Sequence, residues 1–156
     1  MQPVDFELES TAGTNRSLRQ YRGKVVIVFY EARDRVDDNA ALKRSLGRFG
    51  SSTLAGDVVV LGVGDVQAFD FAPARSIARS AIRAIASHYD LEILLDWKGT
   101  LAKPPFSLDP AESNVLVIDR GGAIAYRHTG VVSPEEERRF VDAVSSSLGL
   151  GEQPRG

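Results

Sequence analysis

The run KVVIVFY, Lys24–Tyr30, is continuously β-branched and aromatic, which predicts a strand covered on both faces. DVVVLGVG, Asp57–Gly64, repeats the pattern and predicts a second buried strand. LEILLD, Leu91–Asp96, and NVLVID, Asn114–Asp119, predict a third and a fourth. Between these runs the apolar positions fall at helical spacing. Leu42, Leu46 and Phe49 predict a helix closed by Gly50. It follows Asp37, Asp38 and Asn39, residue types that cap helix N-termini. Pro73 suits the first turn of a second helix, with Ile77, Ala81, Ile85 and Tyr89 along one side. Ser133-Pro134-Glu135-Glu136 combines an N-cap, a proline at N1 and acids near the helix dipole. It starts a last helix whose core side is Phe140, Val141, Val144 and Leu148. Upstream, residues 5–8 alternate weakly and TAGTN reads as a turn, so a small N-terminal hairpin is expected. RGG is a tight turn and AIAYRHTG its returning strand. This order implies a mixed central sheet with helices on both faces.

Composition narrows the chemistry more than the fold. The length of 156 residues suits one domain, expected over residues 1–149, with 150–156 as a loose tail. A hydrophobic share of 43% and a charged share of 26% are those of an ordinary soluble globular chain. The net charge of -2 argues against a nucleic-acid partner, for which a basic surface is usual. The chain has no cysteine, which excludes disulfides, thiol nucleophiles and thiolate metal sites. No apolar run approaches the length of a membrane span. MQPVDFELES lacks a basic region followed by an apolar one, so the expected location is cytoplasmic, or periplasmic for a trimmed chain.

Four segments in order carry a resemblance. PVDFELESTAGTNRSLRQYRGKVVIVFY resembles the opening of the thiol–disulfide oxidoreductase and peroxiredoxin-like branch of the thioredoxin-like superfamily. LLDWKGTLAK is similar to that family's aspartate-containing turn, NVLVIDRGGAIAYRHTG to its late hairpin, and SPEE to the start of its last helix. The resemblance implies a thioredoxin-like three-layer α/β/α fold with an N-terminal β-hairpin. It also implies positions for the family's chemistry, and there the residues differ. The two cysteine positions fall on Asp34 and Asp37, spanning Asp34-Arg35-Val36-Asp37, and the cis-proline position falls on Ser113. A cis bond before a non-proline residue costs about 3 kcal/mol, so a trans peptide is expected before Ser113. A helix N-terminus that tunes a thiolate also suits a carboxylate, which explains how aspartate replaces cysteine without supplying a new reaction.

The candidate residues each have a plain structural reading beside a functional one. Asp34, Asp37 and Asp38 could act as acid/base groups, or hold a hard cation with Asp65, but capping a helix is the simpler role. Arg33 and Arg35 could clamp an anion or pair locally with those aspartates. Arg75, Arg79 and Arg83 recur every four residues as a basic stripe, which could bind an acidic partner, a lipid surface or a phosphate backbone but reads first as a solvated helix face. Phe69 and Phe71 follow the second strand and could line a partner surface or cover the sheet edge. His88 and His128 sit in no metal-spaced pair. The expectation is a redox-inactive module that binds a protein or peptide, with no cofactor or metal. The binding edge would comprise Arg33, Arg35, Val36 and Ser113, with Phe69 and Phe71. The alternatives are a structural subunit or homodimer, and an enzyme using Asp34 and Asp37.

Overall fold

Strand β3, Val25–Glu31, is buried at every position and lies inside the sheet, with a strand paired on each side. The computed structural model describes residues 2–49, 56–89 and 91–149; for Arg33, residues 47–49 and Tyr89 only the backbone is described. Gly50, expected to close the first helix, and the tail 150–156 lie outside the described residues. β3 pairs in parallel with β4, Val58–Asp65, and β4 in parallel with β5, Glu92–Asp96. On its other side β3 pairs antiparallel with β6, Ser113–Ile118, which continues into β7, Ile124–Thr129. The hairpin β1, Glu7–Ser10, and β2, Asn15–Ser17, joins antiparallel to β5. The seven-stranded order is β2-β1-β5-β4-β3-β6-β7. Each expected strand is present, and the sheet is mixed as the element order implied.

The side-chain period of two splits β3 between two cores. Val25, Ile27 and Phe29 face one side with Val115 and Val117 of β6. There α1, Ala40–Phe49, packs through Leu42 and Leu46, and α3, Pro134–Leu148, through Phe140, Val144 and Leu148. Helix α2, Ala74–Tyr89, sits on the same face over β5, with Ala78 and Ile82 against Leu95, Val66 and Trp97. Val26, Val28 and Tyr30 face the other side, under Phe6, Leu8, Leu18, Leu101, Phe106 and Leu108. The two outer layers are therefore unequal. Helices were expected on both faces, but among the described residues the three α-helices all cover one face, where the parallel β3-α1-β4-α2-β5 crossovers place α1 and α2 together, and 3-10 turns with extended chain cover the other. Each fully buried Leu, Ile or Phe side chain contributes about 1.5–3 kcal/mol, so both layers hold the sheet.

Local chemistry explains the ends of the elements, with three departures from expectation. Ser133 caps α3 as expected, its Oγ accepting from the Glu136 amide at 3.1 Å with Pro134 at the first position. Asp119 organises the β6–β7 turn by accepting from the Gly121 and Ala123 amides at 3.0 and 2.9 Å. The first departure is α1, which has no acid in its first turn. Asp34 lies in a 3-10 turn, Arg33–Arg35, and Asn39 sends its side chain across to β6 and the β7–α3 loop rather than to the helix. Second, Ile77 is 67% exposed, and Ala78 and Ile82 are the α2 residues that enter a core. Third, Val141 is 50% exposed while Ala143 takes its place in the core beside Phe140. The first shift is of one position along the helix and the second of two, because a helix tilted on a twisted sheet need not bury its most regular stripe.

Candidate functional site

The segment that resembles a redox site ends β3 with a charge. Glu31 is paired in register with Ser113 on β6 and Gly64 on β4, so all three share the helical face of the sheet. Helix α1 crosses that face and places Lys43 over it, one turn past Asn39. Lys43 donates to one Glu31 carboxylate oxygen and to the Val36 carbonyl. The Ser113 hydroxyl donates to the other Glu31 oxygen. Asn39 Nδ2 in turn donates to Ser113 Oγ at 2.9 Å and to the Gly130 carbonyl at 3.4 Å. Asn39 Oδ1 accepts from the Val132 amide at 2.9 Å. The group is dry: Lys43 is 3% exposed, Glu31 6% and Ser113 0%. Burial pushes the Glu31 carboxyl above its ordinary range, while Lys43 and Ser113 pull it back down. A buried pair of this kind adds little net stability over apolar residues, but removing one partner leaves an uncompensated charge.

This network occupies the place expected for an open groove. Ser113 is fully buried under Glu31 and Asn39, and it begins β6 rather than preceding it. The cis peptides among the described residues are Ala72–Pro73 and Pro104–Pro105, and the bond before Ser113 is not one of them. Asp34 and Asp37 are exposed above it. Arg35 is tied down, its Nε donating to the Ala111 carbonyl at 3.2 Å and Nη1 lying 3.7 Å from Asp38. Of Arg33 the side chain lies outside the described residues. Among the described residues no three His, Asp or Glu side chains are grouped to hold a metal ion.

The basic stripe is engaged within the chain, although Arg83 stays exposed. Arg75 pairs with Asp70 at 2.9 Å and stacks 4.4 Å from the centre of the Trp97 ring. Arg79 donates to Glu9 on the N-terminal hairpin and also approaches Trp97. Arg83 donates to the Thr11 carbonyl at 2.6 Å. Trp97 Nε1 donates to the same Glu9 oxygen at 3.0 Å. Burial works to raise the Glu9 carboxyl, but the bonds from Trp97 and Arg79 outweigh it and hold the group below its ordinary range. Arg79 and Arg83 thus fasten α2 to the hairpin. His128 Nε2 lies 3.1 Å from the Val131 carbonyl, and His128 Nδ1 is 3.6 Å from Glu136.

What the surface does offer is a cleft of about 100 Å³ between α1 and α2. Phe29, Gly62, Gly64 and Ile93 form its floor, with Val36, Phe69, Ile82 and Ile85 on its walls and Ile77 at its open side. The floor is deep because β4 alternates glycine on this face. A Cβ at Gly62 would stand 3.0 Å from Ile93, and one at Gly64 would stand 3.0 Å from Ile82. Glu31, Lys43 and Asp65 bring the polar atoms of the lining. Val36 and Phe69, expected at a binding edge, are brought together here. Phe71 is 59% exposed, just before the start of α2. Ser113, Arg75, Arg79 and Arg83 do not line the cleft. The Glu31–Lys43 network was not anticipated. Its signal is present, since a glutamate ends an apolar strand and a lysine shares the apolar stripe of α1 with Leu42 and Leu46.

No family model and no curated protein matches the chain. Solved structures do. A structure from Chlorobium tepidum, named provisionally as thiol:disulfide interchange protein DsbE, superposes with a TM-score of 0.72 at 17% identity, covering 95% of this chain and 96% of its own. The pneumococcal exposed lipoprotein thioredoxin of Streptococcus pneumoniae gives 0.66 at 20% identity, covering 88% and 98%. BsSco, of the Sco family of cytochrome c oxidase assembly proteins, gives 0.65 at 15% identity, covering 92% of each. Such likeness is a likeness of fold. Neither thiol–disulfide exchange nor thiol peroxidation can run on a chain without a cysteine. The chain has a thioredoxin-like fold in which a buried Glu31–Lys43 pair lies beneath the segment that resembles a redox site.

Proposed function

We propose that this chain is a redox-inactive, non-catalytic binding module that takes a polypeptide partner at the mouth of the cleft between α1 and α2. The observation that carries the reading is the cleft itself: an apolar recess whose rim residue Ile77 is 67% exposed. Large aliphatic side chains at the edge of an apolar recess are the usual mark of a recognition surface. The exposed Phe71 precedes the same helix, outside the lining of the cleft. Placing the site here, rather than over Ser113, follows from the burial of Ser113. An acid/base enzyme built on Asp34 and Asp37 has less support. Both carboxylates are exposed, whereas shielding is what separates the pKa values of such a pair.

Selection of displayed peptides on the immobilised protein tests the reading. The enriched peptides are expected to lose about tenfold or more in affinity for Ile77→Asp, which puts a charge at the centre of the rim. Enriched peptides that bind Ile77→Asp and wild type equally would place recognition elsewhere.

A further inference from the structure

A second group of titratable side chains lies where the edge strand β7 meets the start of α3. Tyr126 and His128 stand two residues apart on β7, and Glu136 and Arg139 about one turn apart on α3. Tyr126 packs into the core under the helices, and His128 shares its face by the strand's period of two. The register partner of His128 on β6 is the apolar Val115. The Tyr126 hydroxyl donates to Glu136 Oε2 at 2.7 Å, and Arg139 Nη1 donates to Glu136 Oε1 at 2.9 Å. Both ring nitrogens of His128 face oxygen. Nε2 lies 3.1 Å from the Val131 carbonyl, and Nδ1 lies 3.6 Å from Glu136 Oε2, within ion-pair reach. Val131 belongs to the loop that Asn39 grips from the other side, through the Gly130 carbonyl at 3.4 Å and the Val132 amide at 2.9 Å.

A neutral imidazole carries one N–H and serves one acceptor, which leaves a lone pair against the other oxygen. An imidazolium carries two and serves both. The neighbours of His128 hold their charge states near neutral pH. The hydrogen bond from Tyr126, with the charges of Arg139 and His128, outweighs burial and keeps the Glu136 carboxyl below its ordinary range. Burial, and then the bond to Glu136, push the Tyr126 phenol above its ordinary value, so it keeps its proton. Arginine stays charged, and histidine is the one side-chain type of the four whose charge changes near neutrality.

We infer that His128 is a proton-operated clasp between the loop 130–132 and the first turn of α3, closed as the imidazolium and half-released as the neutral ring. A lone pair is repelled more by a full negative charge than by a carbonyl dipole. The remaining hydrogen therefore stays on Nδ1, toward Glu136, and the Val131 carbonyl is the bridge that opens. The loop is then left to Asn39 and to the backbone bond from the Gly130 amide to the Ser113 carbonyl. Asn39 also bonds Ser113 Oγ, so the clasp acts on a loop joined to the buried Glu31–Lys43 network. It works whether or not the cleft is occupied.

The test is an NMR titration of the isotope-labelled intact chain through neutral pH, following both imidazole rings and the backbone amides. His88, on α2, is the internal control. The Val131 and Val132 amide shifts are expected to follow the His128 curve and not the His88 curve. Protection of the Val132 amide, corrected for the intrinsic exchange rate, is expected to be about two- to tenfold lower above the midpoint, the factor that one net hydrogen bond supplies. The ring nitrogen shifts are expected to place the hydrogen of the neutral form on Nδ1. His128→Gln is expected to flatten the loop response. Glu136→Gln leaves an amide oxygen for Tyr126 and Arg139 but removes the charge that retains the hydrogen on Nδ1, so the loop response is expected to shrink. Loop signals that stay flat while His128 titrates, or that respond equally in His128→Gln, would overturn the clasp. A neutral ring with its hydrogen on Nε2 would overturn it too, because the Val131 bridge would then persist.

Discussion

At the scale of single residues, the chain's most unusual feature is the charge pair under the segment EARDRV. Lys43→Met would leave Glu31 buried with only Ser113 as a donor and is expected to destabilise the fold by about 3–5 kcal/mol at neutral pH. Glu31→Gln combined with Lys43→Met removes both charges and keeps an acceptor for Ser113. It is expected to be neutral or stabilising, which urea denaturation of the singles and the double would show. The pH dependence follows from the direction of the Glu31 shift. Its folded carboxyl titrates above its unfolded one, so its contribution is fully present below the unfolded value and is lost as pH rises through the folded value. Lys43→Met removes a group that lowers that value, so the deficit of the variant relative to wild type is expected to shrink in acid, where Glu31 is protonated. A deficit that is constant with pH would contradict the assignment. Part of this site was legible in the sequence. Val36 and Phe69, expected at a binding edge, line the cleft, and Ser113, expected opposite the segment that resembles a redox site, lies under it. The pair itself escaped because a lone glutamate and a lysine twelve residues apart read as surface charges until β3 and α1 are superposed.

At the scale of elements, the strands and helices follow the apolar runs closely, because buried parallel strands leave little ambiguity when β-branched residues are continuous. What pattern alone could not decide was which helical stripe meets the sheet, and Ile77 and Val141 show the consequence. Nor could it show that the basic residues of α2 are fastenings. Arg79, Trp97 and Glu9 join α2 to β1, and Arg83 adds a bond to the hairpin turn. Glu9 titrates below its ordinary range when folded, so its stabilisation is present above the unfolded value and is lost as pH falls through the folded one. Trp97 emission is expected to change on acidification before global unfolding, and Glu9→Gln is expected to remove that early change while costing about 1 kcal/mol. An unchanged acid response in Glu9→Gln would assign the change to another group.

At the scale of the whole molecule, the sheet and its three helices match solved thioredoxin-like structures along nearly the full chain, while the chemistry those folds often carry has no atoms here to run on. The fold sets two helices side by side over a glycine floor and leaves a recess between them. The glycines were readable as letters in VVVLGVGD, but the space above them depends on where α1 and α2 stop, which is a property of packing. Recognition at that recess is the central claim. Its most direct measurement is a chemical-shift map of the wild-type chain with a peptide enriched by selection. The account predicts shifts concentrated at Val36, Phe69, Ile77, Ile82 and Ile85, fading toward Ile118. Shifts centred on the edge strand β7, with the cleft residues silent, would contradict it.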